Sequence, residues 1–273
     1  MPPPTDMTSE TTDMPPELIE TLGDELYNAL CMRTVVEPLT NRHPEITIEN
    51  AYHIQQRMIA RRLAAGERVV GKKIGVTSAA VMNMLGVYQP DFGYMLDGMI
   101  VSDGGSIAMS SLIQPKAEGE IAFVLKKDLM GPGVTNADVL AATDFVMPCF
   151  EIVDSRIRDW KIKIQDTVAD NASCGMFVLG STAVDPRKLD LMTCGMVLEK
   201  NGEVIATGAG AAALGSPINA VAWLANTLGR LGIGLKAGEV ILSGALAAMF
   251  PAQAGDHFRV TIGGLGACSV RFH

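Results

Sequence analysis

The stretch QPKAEGEIAFVL places Glu118 and Glu120 two positions apart at the head of an apolar run. On a strand, alternate side chains share a face, so these two carboxylates point one way while Ile121, Phe123 and Leu125 point the other. Their Cβ atoms would stand about 6.6 Å apart, close enough for both to reach one ion. Adjacent carboxylates repel unless a cation compensates, and an all-oxygen donor set suits Mg²⁺ or Mn²⁺ rather than zinc. The competing reading is a pair of solvent-facing residues on an edge strand. Glu151 closes the run VMPCFE and adds a third carboxylate, set among apolar neighbours where an unpaired charge is costly.

Cations and short polar groups lie near in sequence. In GKKIG, strand alternation sends Lys72 and Lys73 to opposite faces, so one could enter the interior while the other meets water. A lysine buried beside a metal could serve in acid–base chemistry, whereas two surface lysines are the ordinary outcome. Asp91 sits in the turn-like QPDFG. The segment DSRIRDWKIK is dense in charge, and for Arg158 and Lys161 exposed salt bridges are the simpler account. In DTVADNASCG, Asp166, Asp170, Asn171 and Ser173 could either brace a loop or bind a carboxylate.

The elements that must position these groups fall into two parts. Pro16 and the spacing Leu18, Leu22, Leu26, Leu30 predict a first helix, and Ala51, Ile54 and Met58 a second, running from near Thr47 to Gly66. From Arg68 onward, short apolar runs alternate with Gly, Pro, Asn and Asp; the Asn201-Gly202 pair predicts a type I′ hairpin. Helices are expected only after Ser78, after Thr135, around 160–170, and from Ser216-Pro217 to Leu231. Many strands with few helices do not give the regular alternation of a doubly wound sheet. The reading is an α+β chain, a mixed, mainly-β fold with peripheral helices: a disordered leader over 1–15, an N-terminal helical segment over 16–67 and a catalytic domain over 68–273.

Composition closes off other classes. A net charge of −8 and a pI near 5.0 argue against nucleic acid, which needs clustered Lys and Arg. The same sign discourages adsorption to anionic membranes. No apolar run approaches the roughly 18 residues of a membrane span, and the start lacks the regions of a secretory signal. Five widely spaced cysteines without a C-x-x-C pair suit reduced thiols in the cytoplasm. The four histidines show no ligand spacing. GAGAAALGSP lacks the strand–helix context of a dinucleotide-binding loop and reads as a small-residue turn, while GGLGACS reads as a strand-to-strand bend.

Taken in order, GKKIGVTS, LGVYQPDFG, QPKAEGEIAF, EIVDSRIRDWKIKIQDTVADNASCG, GAGAAALGSP and EVILSGAL resemble the 2-hydroxypenta-2,4-dienoate (2-oxopent-4-enoate) hydratases of meta-cleavage pathways, within the fumarylacetoacetate-hydrolase-like group. The resemblance runs from about the second helix to the C-terminus. It implies a mixed β-roll, a Mg²⁺ or Mn²⁺ ion on Glu118, Glu120 and Glu151, proton-transfer roles for Lys73 and Asp91, and a homo-oligomer, a pentamer or decamer. Ser173 and Ser243 are the candidates for holding the substrate carboxylate. The expected reaction is hydration of a small 2-hydroxy-dienoate to a 4-hydroxy-2-oxo acid. The sister enzyme 4-oxalocrotonate decarboxylase is the alternative and a possible complex partner; a non-catalytic partner subunit is the third reading. Arg158-Asp159-Trp160, Asp166-Thr167 and Ser243 to Leu246 favour the hydratase.

Overall fold

The structure, a computed structural model, describes residues 14–78, 82–83, 87 and 89–273. The leader expected over 1–15 lies outside the described residues but for its last two, and of these Met14 is buried against the helical core. Of the helix expected after Ser78 only residues 82–83 are described, and they are helical.

Three helices open the chain: α1 (Pro16–Met32), α2 (Leu39–Arg42) and α3 (Ile48–Ala64). Proline in the first turn of α1 lacks only an amide that would have no helical partner there, and Arg33 ends the helix in the left-handed conformation. Thr47 caps α3: its side chain accepts from the Asn50 amide, and the Asn50 side chain accepts from the Thr47 amide. Leu22 and Leu26 of α1 pack with Ala51, Ile54 and Met58 of α3, and with Ile157, Ile164 and Val168 further along the chain. The helical segment is thereby seated on the charge-rich stretch that follows Glu151. α2 was not foreseen; four residues carry no readable periodicity.

Two sheets form the rest. The larger has the order β2 (Asp91–Leu96), β1 (Val69–Gly75), β10 (Val240–Leu242), β5 (Pro115–Leu125), β6 (Thr143–Asp154), β7 (Cys174–Leu179), β3 (Ile100–Val101), with β11 (Phe250–Pro251) added to β5. The smaller has the order β4 (Ser106–Ile107), β13 (Gly266–Phe272), β12 (His257–Ile262), β8 (Gly195–Lys200), β9 (Glu203–Ala209). The expected hairpin is present: Asn201 and Gly202 both take positive φ between β8 and β9. Helices α4 (Asn136–Ala142) and α6 (Pro217–Arg230) lie outside the sheets, as does the short α5 (Ile164–Ala169). The architecture is the mixed α+β roll expected from the sequence.

The main core lies between the two sheets. Ile121, Phe123 and Phe150 from one meet Phe258, Val260 and Phe272 from the other. Because odd-numbered residues of β5 fill that core, its even-numbered residues face the opposite side of the sheet. No helix among the described residues is long and apolar enough to cross a membrane.

Candidate functional site

β5 is an interior strand, hydrogen-bonded to β10 on one side and β6 on the other. The edge-strand reading of Glu118 and Glu120 is therefore wrong. Register sets Glu118 directly opposite Glu151, so the third carboxylate arrives by cross-strand pairing. Glu118, Glu120 and Glu151 each present an oxygen within 4.8 Å of the others. Glu120 and Glu151 are fully buried, and Glu118 keeps an edge open to a cleft.

Partners for these oxygens are few. One Glu120 oxygen accepts from the Gly244 amide at 2.8 Å. The other, and both Glu151 oxygens, are buried without a hydrogen bond. Lys73 Nζ lies 3.2 Å from Glu151 Oε1, an ion pair without hydrogen-bond geometry. Gly244 has φ +102°, and a Cβ there would fall 2.3 Å from Thr77 Oγ1, so glycine is needed to aim that amide at Glu120.

Lys73 reaches the cluster from β1, and Asp91 sits on β2 in register with Gly75. A Cβ on Gly75 would come 2.2 Å from Asp91 Oδ1 and 3.1 Å from Lys73 Nζ, so the second glycine of GKKIG makes the room that this pair occupies. Lys72 leaves by the opposite face, as alternation requires, but it too is buried, paired with Glu239 at 2.7 Å. Neither lysine is a surface lysine, because β1 lies inside the sheet between β2 and β10.

Four carboxylates thus surround one ammonium, and the electrostatics follow. Burial raises the Glu118 pKa to about 7, with the Glu151 charge adding to it and Lys73 opposing. Burial also lifts Glu120, reinforced by Glu151 and Glu118, and lifts Glu151 against the pull of Lys73. Asp91 is raised by burial, although Lys73 draws it down. For Lys73, burial disfavours the charged form, yet Glu151 and Asp91 outweigh it and hold the ammonium. A set of oxygen-only donors with unpaired, buried anionic oxygens fits a hard divalent cation. No other group of three or more His, Cys, Asp or Glu among the described residues is placed to hold a metal.

The cleft beside the cluster has two joined parts. One, of about 90 Å³, is lined by Lys73, Asp91, Glu118, Trp160, Ser173 and Met249 among others. The second, of about 510 Å³, shares Gly75, Val76, Glu118 and Met249 with the first and continues along Ala212 and Ala245. A hollow of about 590 Å³ on α1 carries none of the candidate groups and lies on the helical segment.

Ser173 lines the cleft, its hydroxyl 3.2 Å from that of Thr167. Ser243 lines neither part; its hydroxyl is buried without a partner at the end of β10, one residue before the amide that holds Glu120. The polar residues around Ser173 brace the loop: Asp166 accepts from Thr40, Asp170 pairs with the fully buried Arg156, and the Asn171 amide exchanges hydrogen bonds with Tyr94. Arg158 and Lys161 form exposed salt bridges, as expected.

Trp160 was not singled out as a site residue. Its indole N–H donates to the Gln114 carbonyl at 3.0 Å, and the Lys116 ammonium lies 4.1 Å from its ring centroid. Asp159 and Trp160 both take positive φ, which side-chain types do not announce. Lys116 could have been found: it precedes Glu118 by two and shares its face of β5.

Residues 80–273 match the family model for the fumarylacetoacetate (FAA) hydrolase C-terminal domain, a span holding every candidate residue except Lys73. The chain belongs to the fumarylacetoacetate hydrolase family. A 2-hydroxypent-2,4-dienoate hydratase of Pseudomonas putida is 71% identical over 217 residues, 79% of this chain and 98% of that one. A 2-hydroxyhexa-2,4-dienoate hydratase of Comamonas testosteroni is 60% identical over 258 residues, 94% of this chain and 98% of that one. Among solved structures, 4-oxalocrotonate decarboxylase from Pseudomonas putida G7, complexed with magnesium and adipate, superposes with a TM-score of 0.91 at 42% identity, covering 94% and 98% of the two chains. Family membership together with these hydratase relatives makes the chain an enzyme of the hydro-lyase class.

Proposed function

We propose that this family member hydrates 2-hydroxypenta-2,4-dienoate to 4-hydroxy-2-oxopentanoate in the meta-cleavage breakdown of aromatic compounds, with a divalent cation, Mg²⁺ or Mn²⁺, on Glu118, Glu120 and Glu151. The observation that carries this reading is the cluster of Glu118, Glu120 and Glu151, in which buried oxygens of Glu120 and Glu151 lack partners while Glu118 lines a cleft with Lys73 and Asp91. The cation, when bound, supplies Lewis acidity toward the oxygens of a 2-oxo or 2-enol carboxylate.

The chain's own residues do the rest. Glu151 and Asp91 keep Lys73 protonated, so its ammonium offers positive charge where the enol oxygen of the substrate becomes negative. Asp91, beside it, takes the enol proton, and a proton is delivered to C5, which converts the dienol to a 2-oxo-3-enoate. Water then adds, its oxygen to C4 and a hydrogen to C3. Ser173 holds the substrate carboxylate from the cleft wall, and Ser243, whose buried hydroxyl has no hydrogen-bond partner in the chain, is the second candidate for that role. Trp160 lines the cleft beside Lys73 and Asp91 and limits the access of bulk water. The reading extends to a cytoplasmic homo-oligomer of pentameric or decameric order.

The decarboxylase reading draws on one observation, the 0.91 TM-score to 4-oxalocrotonate decarboxylase. Two enzymes with different products can share one backbone, so the fold does not choose between them. The test supplies 2-hydroxypenta-2,4-dienoate and 4-oxalocrotonate separately, with Mg²⁺ and with chelator. Loss of the diene absorbance with formation of 4-hydroxy-2-oxopentanoate, stopped by chelator, is expected. Release of CO₂ from 4-oxalocrotonate without hydration of the dienoate would select the other reading.

A further inference from the structure

We propose that Gln55 is a positioning residue of the site: its side-chain amide ties the strand that carries Asp91 to the helix that carries Thr167, and so sets Asp91 and Ser173 on the cleft wall. The inference rests on the roles given to those two groups in the hydratase reading. Gln55 lies on α3, ahead of residue 80, where the family match begins.

Along α3, Tyr52, Gln55 and Ile59 recur at positions i, i+3 and i+7 and form one stripe. Tyr52 stacks on Phe92, with ring centroids 4.4 Å apart, and Ile59 packs in one cluster with Met95 and Leu96. The stripe therefore lies along β2. Between Tyr52 and Ile59 stands a fully buried glutamine. Gln55 Nε2 donates to the Phe92 carbonyl at 2.9 Å and to the Val168 carbonyl at 3.0 Å. Its Oε1 is buried without a hydrogen bond, a cost that an apolar residue of the same size would avoid. What glutamine adds at this position is two donors in a fixed geometry.

Both acceptors adjoin the chemistry. Phe92 follows Asp91 directly, and β2 is the end strand of the larger sheet, paired with β1 alone among the described strands. Side chains meet its outward backbone groups instead: Gln55 takes the Phe92 carbonyl, and Asn171 donates to the Tyr94 carbonyl and accepts from the Tyr94 amide. Val168 follows Thr167, whose hydroxyl lies 3.2 Å from that of Ser173. Asn171, Ala172 and Ser173 take φ of 55°, 50° and 53°. Consecutive residues other than glycine stay in that region only where their surroundings hold them. The β2 edge, fastened by Gln55, is one of the surfaces that holds these three.

The experiment compares the Mg²⁺-loaded parent with Gln55→Met, which keeps the volume and removes both donors. A shift of about 1 Å at a reacting group costs about 100-fold, so kcat of the folded variant should fall at least roughly 30-fold. Mg²⁺ affinity should hold within about threefold, because the carboxylate cluster stands on β5 and β6. Met58→Ala, three residues further along α3 and packed in the helical core, loosens the same helix without removing a donor; its kcat per folded chain should stay within about twofold of the parent. Gln55→Asn, one methylene too short to reach both carbonyls, replaces the methionine variant if that does not fold, and should lose at least roughly tenfold in kcat. Amide hydrogen exchange needs no substrate: in either Gln55 variant, residues 91–96 and 166–173 should exchange at least roughly tenfold faster than in the parent, with 115–125 unchanged. A folded Gln55 variant with kcat within about threefold of the parent, or with unchanged exchange over 91–96 and 166–173, overturns the proposal. An equal loss of kcat in Met58→Ala overturns it as well. A parent that leaves the dienoate unreacted strikes the hydratase reading instead; the exchange rates still decide the tether, and kcat is compared on 4-oxalocrotonate if that is what the parent consumes.

Discussion

Replacing Gly75 with alanine probes the Lys73–Asp91 pair without touching either residue. The new methyl would stand 2.2 Å from Asp91 Oδ1 and 3.1 Å from Lys73 Nζ. An ordinary contact needs about 3.5 Å, so the Asp91 carboxylate must withdraw by about 1 Å. The backbone has little freedom to yield, since Gly75 pairs with Asp91 of β2 and Lys73, two residues before it, is still paired with β10. A displacement of that size at a reacting group costs about 100-fold in kcat, and overpacking costs about 1–3 kcal/mol of stability. The carboxylate cluster on β5 and β6 is not among the atoms nearest the new methyl, so Mg²⁺ affinity should hold within about threefold. kcat from the diene absorbance and Kd from isothermal titration are read on the same folded sample. A folded Gly75→Ala enzyme with kcat within threefold of the parent would refute the role given to this pair.

Two further outcomes follow from the same physics. The folded Glu118 pKa of about 7 lies above the ordinary 4.5, so the metal-free folded chain binds the extra proton and loses stability as pH rises through that window, by at most about 3 kcal/mol because its edge opens on the cleft. Mg²⁺ must expel that proton, so calorimetric affinity should rise at least about tenfold per pH unit up to about pH 7; a pH-independent Kd from 5.5 to 7 would contradict it. Arg156, fully buried, donates to Asp170 and to the Asp154 and Cys174 carbonyls, so Arg156→Leu should cost about 3–5 kcal/mol in urea unfolding; a loss under 1 kcal/mol would show that the network carries little stability.

How much of the site could be read in the sequence varied with the range of the signal. Glu118 and Glu120 share a face by alternation within one strand, and that expectation holds. The pairing of Glu118 with Glu151 depends on the register of two strands joined by a long connection that includes α4, which no local pattern fixes. Alternation also separated Lys72 from Lys73 but not their burial, because burial follows from the place of β1 within the sheet. The hairpin at Asn201-Gly202 was legible because its turn chemistry is local. Trp160 was not, since its position depends on two positive-φ residues and a hydrogen bond to Gln114. Ser243 was a candidate for holding the substrate carboxylate; its hydroxyl is buried without a partner, one residue before the Gly244 amide that donates to Glu120.

The claim on which the account depends is that Glu118, Glu120 and Glu151 together hold one divalent cation. Isothermal titration of the metal-stripped chain with Mg²⁺, run beside Glu120→Gln, tests it most directly. The parent should bind one ion per chain, and Glu120→Gln should bind at least about 100-fold more weakly while staying folded, since removing a buried charge relieves repulsion within the cluster. Equal affinity in the parent and in Glu120→Gln, or no binding by the parent, would contradict the account.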